Sequence, residues 1–204
     1  MAKKHLKYTI EGKVVPSVTT ILNELAKPGL EKWYGRIGLV EAEKQKAEAS
    51  EFGSKVHSAI EAIYHGQDPY MFDDRFKKVI ENFKKWSEHN ISEWLAFEKA
   101  IYHDELMYAG TIDAVARLKG ANKLVLVDFK TSKKVREEYY LQVAAYVNAT
   151  RMEDNAVNLK DLDGAIIVHL DHDTLLWEAV NVPLTEELFR VFKACLEIYQ
   201  WRNK

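Results

Sequence analysis

Apolar and polar positions follow two different periods along this chain, and the changes of period divide it into elements. From Leu6 to Val15, Tyr8-Thr9-Ile10 and Lys13-Val14-Val15 flank Glu11-Gly12, which predicts a short hairpin. Val18, Ile21, Leu22 and Leu25 then fall at helical spacing behind Ser17, a candidate N-cap, and Lys27-Pro28-Gly29 reads as the end of that helix. A second helix places Leu30, Trp33, Tyr34 and Ile37 on one face and continues through an Ala/Glu/Lys-rich run to Glu51. Val56, Ile60, Ile63 and Tyr64 mark a further helical stripe. After the break at Asp68-Pro69, Phe72, Phe76, Val79, Ile80 and Phe83 mark another.

From Ile91 the period becomes two. Trp94, Ala96, Glu98 and Ala100 alternate with Leu95, Phe97 and Lys99, predicting a strand to about Tyr102. His103-Asp104-Glu105-Leu106 turns into a strand carrying Asp113, and residues 119–123 form a hairpin-like link to the apolar run Leu124 to Phe129, the pattern of a strand covered on both faces. A helix is expected from Glu137 to Ala149, with Tyr139, Val143 and Val147 inward. Gly164 to Leu170 and Leu175 to Val180 read as a hairpin across Asp171-His172-Asp173, taken as a solvated turn. A last helix behind Thr185 presents Leu188, Phe192, Leu196 and Tyr199. Strands and helices in this order predict an α/β fold: a mixed central sheet flanked by helices.

Composition narrows the class without naming a function. At 204 residues, with 47% hydrophobic and 29% charged, the chain fits one globular domain over 1–204. No run approaches the roughly 18 apolar residues of a membrane span, and the start lacks the apolar core of a signal peptide, so a cytoplasmic setting is expected, in a bacterium or a phage-infected host. The single cysteine, Cys195, excludes an internal disulfide and a four-cysteine iron–sulfur cluster from this chain alone. A net charge of −2 argues against a large duplex-wrapping surface but leaves room for local cations.

The chemistry concentrates between Gly110 and Tyr146. Asp128 and Lys130 are two residues apart in an apolar run, so on a strand both point to one face. A carboxylate and an ammonium on a buried strand are costly to desolvate unless something uses them. Asp113, on the preceding strand, can reach the same place. Two acids able to hold a divalent ion beside a lysine able to address phosphate or water are the inventory for cutting a phosphodiester. Lys133, Lys134 and Arg136, directly after this strand, are placed to grip phosphates. Trp33, Tyr34 and Arg36 join aromatic rings to a cation, a candidate stacking platform for unpaired bases.

Gly110-Thr111-Ile112-Asp113 followed by Asp128-Phe129-Lys130 resembles the PD-(D/E)XK nuclease superfamily in its RecB-type branch. Three other stretches share the resemblance. Pro16-Ser17-Val18-Thr19-Thr20-Ile21-Leu22 with Leu30-Glu31-Lys32-Trp33 looks like the start of phage and mitochondrial genome-maintenance exonucleases. Gly53-Ser54-Lys55-Val56-His57 resembles the branch's Gly-x-x-(Val/Ile)-His helix. Gln142 and Tyr146, four apart after the Asp-x-Lys, match its Gln-x-x-x-Tyr signature.

The resemblance implies a restriction-endonuclease-like core over 52–204, with the hairpin and helices of 1–51 arching over the active site. It implies that His57, Asp113, Asp128 and the Phe129 carbonyl hold one or two Mg²⁺ or Mn²⁺ ions. Glu98, at the place of an acid often found on the first core strand, either assists a metal or pairs with a lysine. Lys130 would steady the attacking water or the charge on phosphorus, and Gln142 and Tyr146 would orient the phosphate or the lysine. The function so implied is a metal-dependent exonuclease on single-stranded DNA with a free end, in replication, recombination, repair or phage DNA metabolism, with replication or recombination proteins as partners and no membrane. A single-strand or structure-selective endonuclease, a nonenzymatic nucleic-acid-binding relative and a metal-dependent hydrolase of another substrate are the alternatives.

Overall fold

A computed structural model describes residues 7–204. Strands β1 (Tyr8–Ile10) and β2 (Lys13–Val15) pair antiparallel across Glu11 and Gly12, whose φ angles of 49° and 75° make the tight reversal. This is the expected hairpin; Leu6, at its predicted start, lies outside the described residues. Helix α1 (Val18–Leu22) opens on Ser17, whose Oγ accepts from the Thr20 N–H at 3.1 Å. It stops at Leu22, a turn short of the apolar spacing. Lys27-Pro28-Gly29, read from sequence as a terminator, instead opens α2 (Pro28–Ile37). Proline suits the first helical turn, where its missing N–H would have no partner anyway.

Gly38, at φ 82°, breaks α2 from α3 (Leu39–Tyr64). Helix α3 runs unbroken for 26 residues, through the Glu51–Phe52 boundary that the apolar pattern suggests. Its alanines, glutamates and lysines favour helix strongly enough to carry the chain past Gly53. Helix α4 (Asp74–Asn90) is capped by Asp73, which accepts from the Phe76 N–H at 2.7 Å.

Strands β3 (Ile91–His103), β4 (Tyr108–Leu118) and β5 (Leu124–Lys130) form an antiparallel meander. Helix α5 (Glu137–Val147) begins the connection that returns the chain. That connection holds a short strand, β6 (Arg151–Met152), which the sequence pattern did not announce and which lines the edge of β3. Strand β7 (Gly164–Leu170) then pairs parallel with β5, and β8 (Trp177–Asn181) pairs antiparallel with β7. The sheet order is β6-β3-β4-β5-β7-β8, a mixed six-stranded sheet. Helix α6 (Glu186–Arg202) starts at the Thr185 cap.

Helices cover both faces of this sheet, as the α/β pattern predicts. One core joins α1, α5 and α6 to it through Ile21, Val143, Phe192 and Leu126. Cys195 is buried in the same layer. The other joins α3 and α4 through Val56, Ile60, Phe76 and Phe83. The Phe129 ring lies in this second core, with its centroid 5.6 Å from that of Phe83 and 6.2 Å from that of Trp177. Burying one such side chain contributes about 1.5–3 kcal/mol, so the end of β5 is firmly anchored from behind. Among the described residues no helix is long and apolar enough to cross a membrane.

Candidate active site

Strand alternation sends the Phe129 ring into the core and leaves Asp128 and Lys130 on the opposite face. Asp128 is 1% exposed, and the Lys130 ammonium lies 2.6 Å from its Oδ2. Asp128 Oδ1 is buried and meets no hydrogen-bond donor among the described residues. The ammonium also stands 4.8 Å from the centroid of the Tyr139 ring on α5. On β4, Ala114 pairs with Val127, which brings Asp113 to the level of Asp128. Asp113 Oδ2 accepts the Phe129 N–H at 2.8 Å, so the side chain takes up a backbone donor where the ladder ends.

Helix α3 and strand β3 complete the cluster. His57 Nδ1 lies 3.3 Å from Asp113 Oδ1 and 3.9 Å from Glu98 Oε1. One donor atom from each of His57, Glu98 and Asp113 falls within 4.8 Å of the others. Of the two uses open to Glu98, the structure sets it beside these potential metal ligands. It does so with the Glu98 backbone at φ 46° in the middle of a strand. A left-handed conformation costs an L-residue about 1–2 kcal/mol, and such strain concentrates at functional sites.

The two carboxyl groups are shifted in opposite directions. Burial works to raise the Asp113 carboxyl, but His57, then Lys130 and the Phe129 N–H, outweigh it and hold it at about 2. Burial pushes the Asp128 carboxyl up to about 6; Lys130 opposes this and Asp113 adds to it. Burial also works against the Lys130 ammonium, yet Asp128 and Asp113 together keep its pKa raised and the side chain charged.

His57, Asp113 and Lys130 line a cleft of about 480 Å³ formed by residues of β4, β5, α5, α3 and the hairpin–α1 region. On α5, the Gln142 amide donates to the Tyr146 hydroxyl at 2.9 Å, and both side chains line the cleft. Burial raises the Tyr146 hydroxyl well above the ordinary tyrosine range. Tyr8 also lines it, with its hydroxyl 2.8 Å from Thr111 Oγ1. Sequence reasoning missed Tyr8, because a three-residue strand does not reveal which surface its hairpin will cover. The parallel bridge between Ser17 and Ala109 brings that hairpin to β4.

The loop after β5 is held by two histidines. His169 Nε2 donates to the Ser132 carbonyl at 2.6 Å, and His172 Nε2 donates to the Thr131 carbonyl at 2.5 Å. The Asp171-His172-Asp173 turn is therefore only partly solvated. Asp171 caps it through the Asp173 and Thr174 N–H groups, while His172 faces the cleft loop.

The residues expected to contact nucleic acid lie outside the cleft lining. The Trp33 and Tyr34 rings meet edge-on at 5.4 Å, the Tyr34 hydroxyl donates to Glu43 of α3, and α2 buries no residue. Arg36 is exposed near the end of α2. Lys133 and Lys134 are exposed on the loop, and Arg136 sits at the start of α5, 3.6 Å from Glu138.

No family model matches the chain. It is 33% identical over 160 residues to mitochondrial genome maintenance exonuclease 1 of Mus musculus, covering 71% of this chain and 46% of the relative. The Homo sapiens protein of the same name is 29% identical over 170 residues, covering 74% and 48%. The chain thus spans about half the length of the curated relatives it matches. A crystal structure of SSO0001 aligns with a TM-score of 0.49 and 15% identity, over 96% of this chain and 80% of that one. These relatives, and the Xenopus tropicalis protein that is 30% identical over 177 residues, are named as exonucleases.

Proposed function

We propose that this chain is a metal-dependent deoxyribonuclease of the RecB-type PD-(D/E)XK branch, folded as one domain, that shortens single-stranded DNA from a free end. The observation carrying this reading is the cluster of His57, Glu98, Asp113, Asp128 and Lys130, of which His57, Asp113 and Lys130 line the same cleft as Gln142 and Tyr146. The donor set fits a divalent cation. An imidazole and carboxylates stand within 4.8 Å of one another, and Asp128 keeps one buried oxygen without a donor. His57, Glu98, Asp113 and Asp128, with the Phe129 carbonyl, would hold one or two Mg²⁺ or Mn²⁺ ions. When bound there, the ion would supply the charge that polarises a phosphate oxygen and acidifies a water.

The chain's own residues would do the rest. Lys130, fixed between Asp128 and the Tyr139 ring, presents its ammonium to the charge growing on the phosphate. Gln142 and Tyr146, bonded to each other, would orient that phosphate or the lysine. A preference for a free end would require α2 and the first half of α3, which reaches the cleft wall at Ala49 and Ser50, to limit passage to one strand. Exonuclease relatives imply a nucleic-acid substrate, and the setting their name gives is genome maintenance in mitochondria.

The test is a gel assay on 5′-labelled and 3′-labelled linear single strands, matching duplex and circular single strands, with Mg²⁺ or Mn²⁺. Stepwise shortening of linear strands, absent on circles and lost in Lys130→Ala, is expected. Cutting of circles would replace the exonuclease by an endonuclease. Binding without cutting under either metal would leave a nonenzymatic relative.

A further inference from the structure

The connection between α3 and α4 turns two large rings toward solvent. Tyr70 is 74% exposed and Phe72 46%. Their centroids lie 4.8 Å apart, and Phe72 stands edge-on to the buried Phe76 at 5.0 Å. Phe76 meets Phe52 at 6.3 Å, and Phe52 lies 6.4 Å from the ring of His172, which holds the Thr131 carbonyl. Thr131 lines the cleft directly after Lys130, and a Cβ at Gly53 would stand 3.0 Å from its Oγ1. Ring contacts thus link the Thr131 side of the cleft to the exposed pair through the buried Phe76.

Two cations lie on the same rings. Lys55 Nζ is 4.5 Å from the Phe72 centroid, oriented there by Glu51 at 2.6 Å, and the Arg75 guanidinium is 5.4 Å from that of Phe52. Surfaces that take unpaired nucleic acid combine aromatic faces for the bases with cations for the backbone.

We propose that Tyr70 and Phe72, flanked by Lys55 and Arg75, form a stacking platform for unpaired bases of a single strand outside the cleft. The platform deepens the proposed reading of the cleft as a strand-cutting site and rests on it. It adds contacts only for strands long enough to reach beyond Thr131.

The test measures binding of fluorescent oligothymidines to the full chain without added divalent ion. A strand of about 16 nucleotides is compared with one of about 4, which bracket the site sizes of single-strand-binding folds. Tyr70→Ala is expected to weaken the long strand about tenfold, the cost of one lost stacking contact, and to leave the short strand unchanged. Tyr70→Trp should restore affinity, and Arg75→Gln should lower the salt slope for the long strand by about 0.7. Equal thermal midpoints for wild type and Tyr70→Ala would exclude misfolding. Wild-type cutting with unchanged long-strand affinity in Tyr70→Ala would overturn the platform alone. Loss of a dimer in sedimentation with unchanged strand affinity would assign the rings to a protein contact and overturn it too. A wild type that neither binds nor cuts any strand would remove the strand-cutting reading and the platform with it.

Discussion

Gly110 faces Tyr146 so closely that a methyl group at its Cα would stand 2.6 Å from Cε1 of the tyrosine ring. That contact gives a physical reason for glycine three residues before Asp113. The ring turns its Cε1 edge toward β4 while its hydroxyl meets Gln142 at the cleft. Tyr146 is only 3% exposed, so the ring has little room to withdraw. Gly110→Ala should cost about 1–3 kcal/mol by overpacking and reduce turnover by displacing the ring. Tyr146→Leu added to it should recover part of the stability without recovering turnover, a non-additivity that urea denaturation of the two single variants and the double variant would reveal. A Gly110→Ala protein with wild-type stability and turnover would mean the ring moves aside freely.

His57, Glu98 and Asp113 predict a metal phenotype. His57→Ala and Glu98→Gln should each weaken Mn²⁺ binding at least about tenfold, as loss of groups around a metal site commonly does. Isothermal titration would check this. Glu98 offers a sharper case because its backbone is strained at φ 46°. Glycine accepts that angle, so Glu98→Gly should leave stability unchanged or raise it by up to about 1 kcal/mol while metal affinity falls. Clear destabilisation of Glu98→Gly would show that the angle is not strained in solution.

Much of this site was legible in the sequence because strand alternation is strict. Asp128 and Lys130 had to share a face once Leu124 to Phe129 was a strand, and Asp113 had to lie on its neighbour. His57 was legible only through the resemblance of its helix, since nothing in helical spacing says which sheet residue an α3 side chain will meet. Tyr8 was invisible, because its place depends on the Ser17–Ala109 bridge, a contact between distant parts of the chain. The merged α3 was hidden by Gly53, a residue usually read as a break, where the surrounding helix formers prevail. Strand β6, with two residues, is too short to carry any period.

Stability should depend on pH through the two acids, with opposite signs. Asp113, held at about 2 against an ordinary 3.8, adds stability that is present above 3.8 and lost as pH falls through about 2. Asp128, raised to about 6, binds its proton more tightly in the folded chain than in the unfolded one. Between 3.8 and about 6 its contribution therefore falls as pH rises, by roughly 1.4 kcal/mol per unit at most. Urea denaturation across that window should show the fall in wild type without divalent ion and a flatter profile in Asp128→Asn. A divalent ion at about 100 times its dissociation constant should restore about 2.7 kcal/mol at neutral pH. Chelation should remove it. A wild-type profile as flat as that of Asp128→Asn would show that the Asp128 carboxyl is not raised.

The loop between Lys130 and α5 depends on side chains from β7 and the turn that follows it. His172 donates to the Thr131 carbonyl and His169 to the Ser132 carbonyl, while Gly53 lets α3 approach the Thr131 side chain. Each histidine should contribute about 0.5–1.5 kcal/mol, the usual net value of one hydrogen bond, and most of that is local. His172→Ala should therefore barely move the global unfolding midpoint, yet speed amide exchange across residues 131–136. Turnover should fall with it, because Lys130 lies at the edge of the loosened segment. His172→Gln, whose amide can still donate, should retain more protection than alanine. Hydrogen-exchange mass spectrometry would separate these outcomes. Unchanged protection of 131–136 in His172→Ala would mean that the loop is fixed by β5 alone and that the histidine has no part in positioning Lys130.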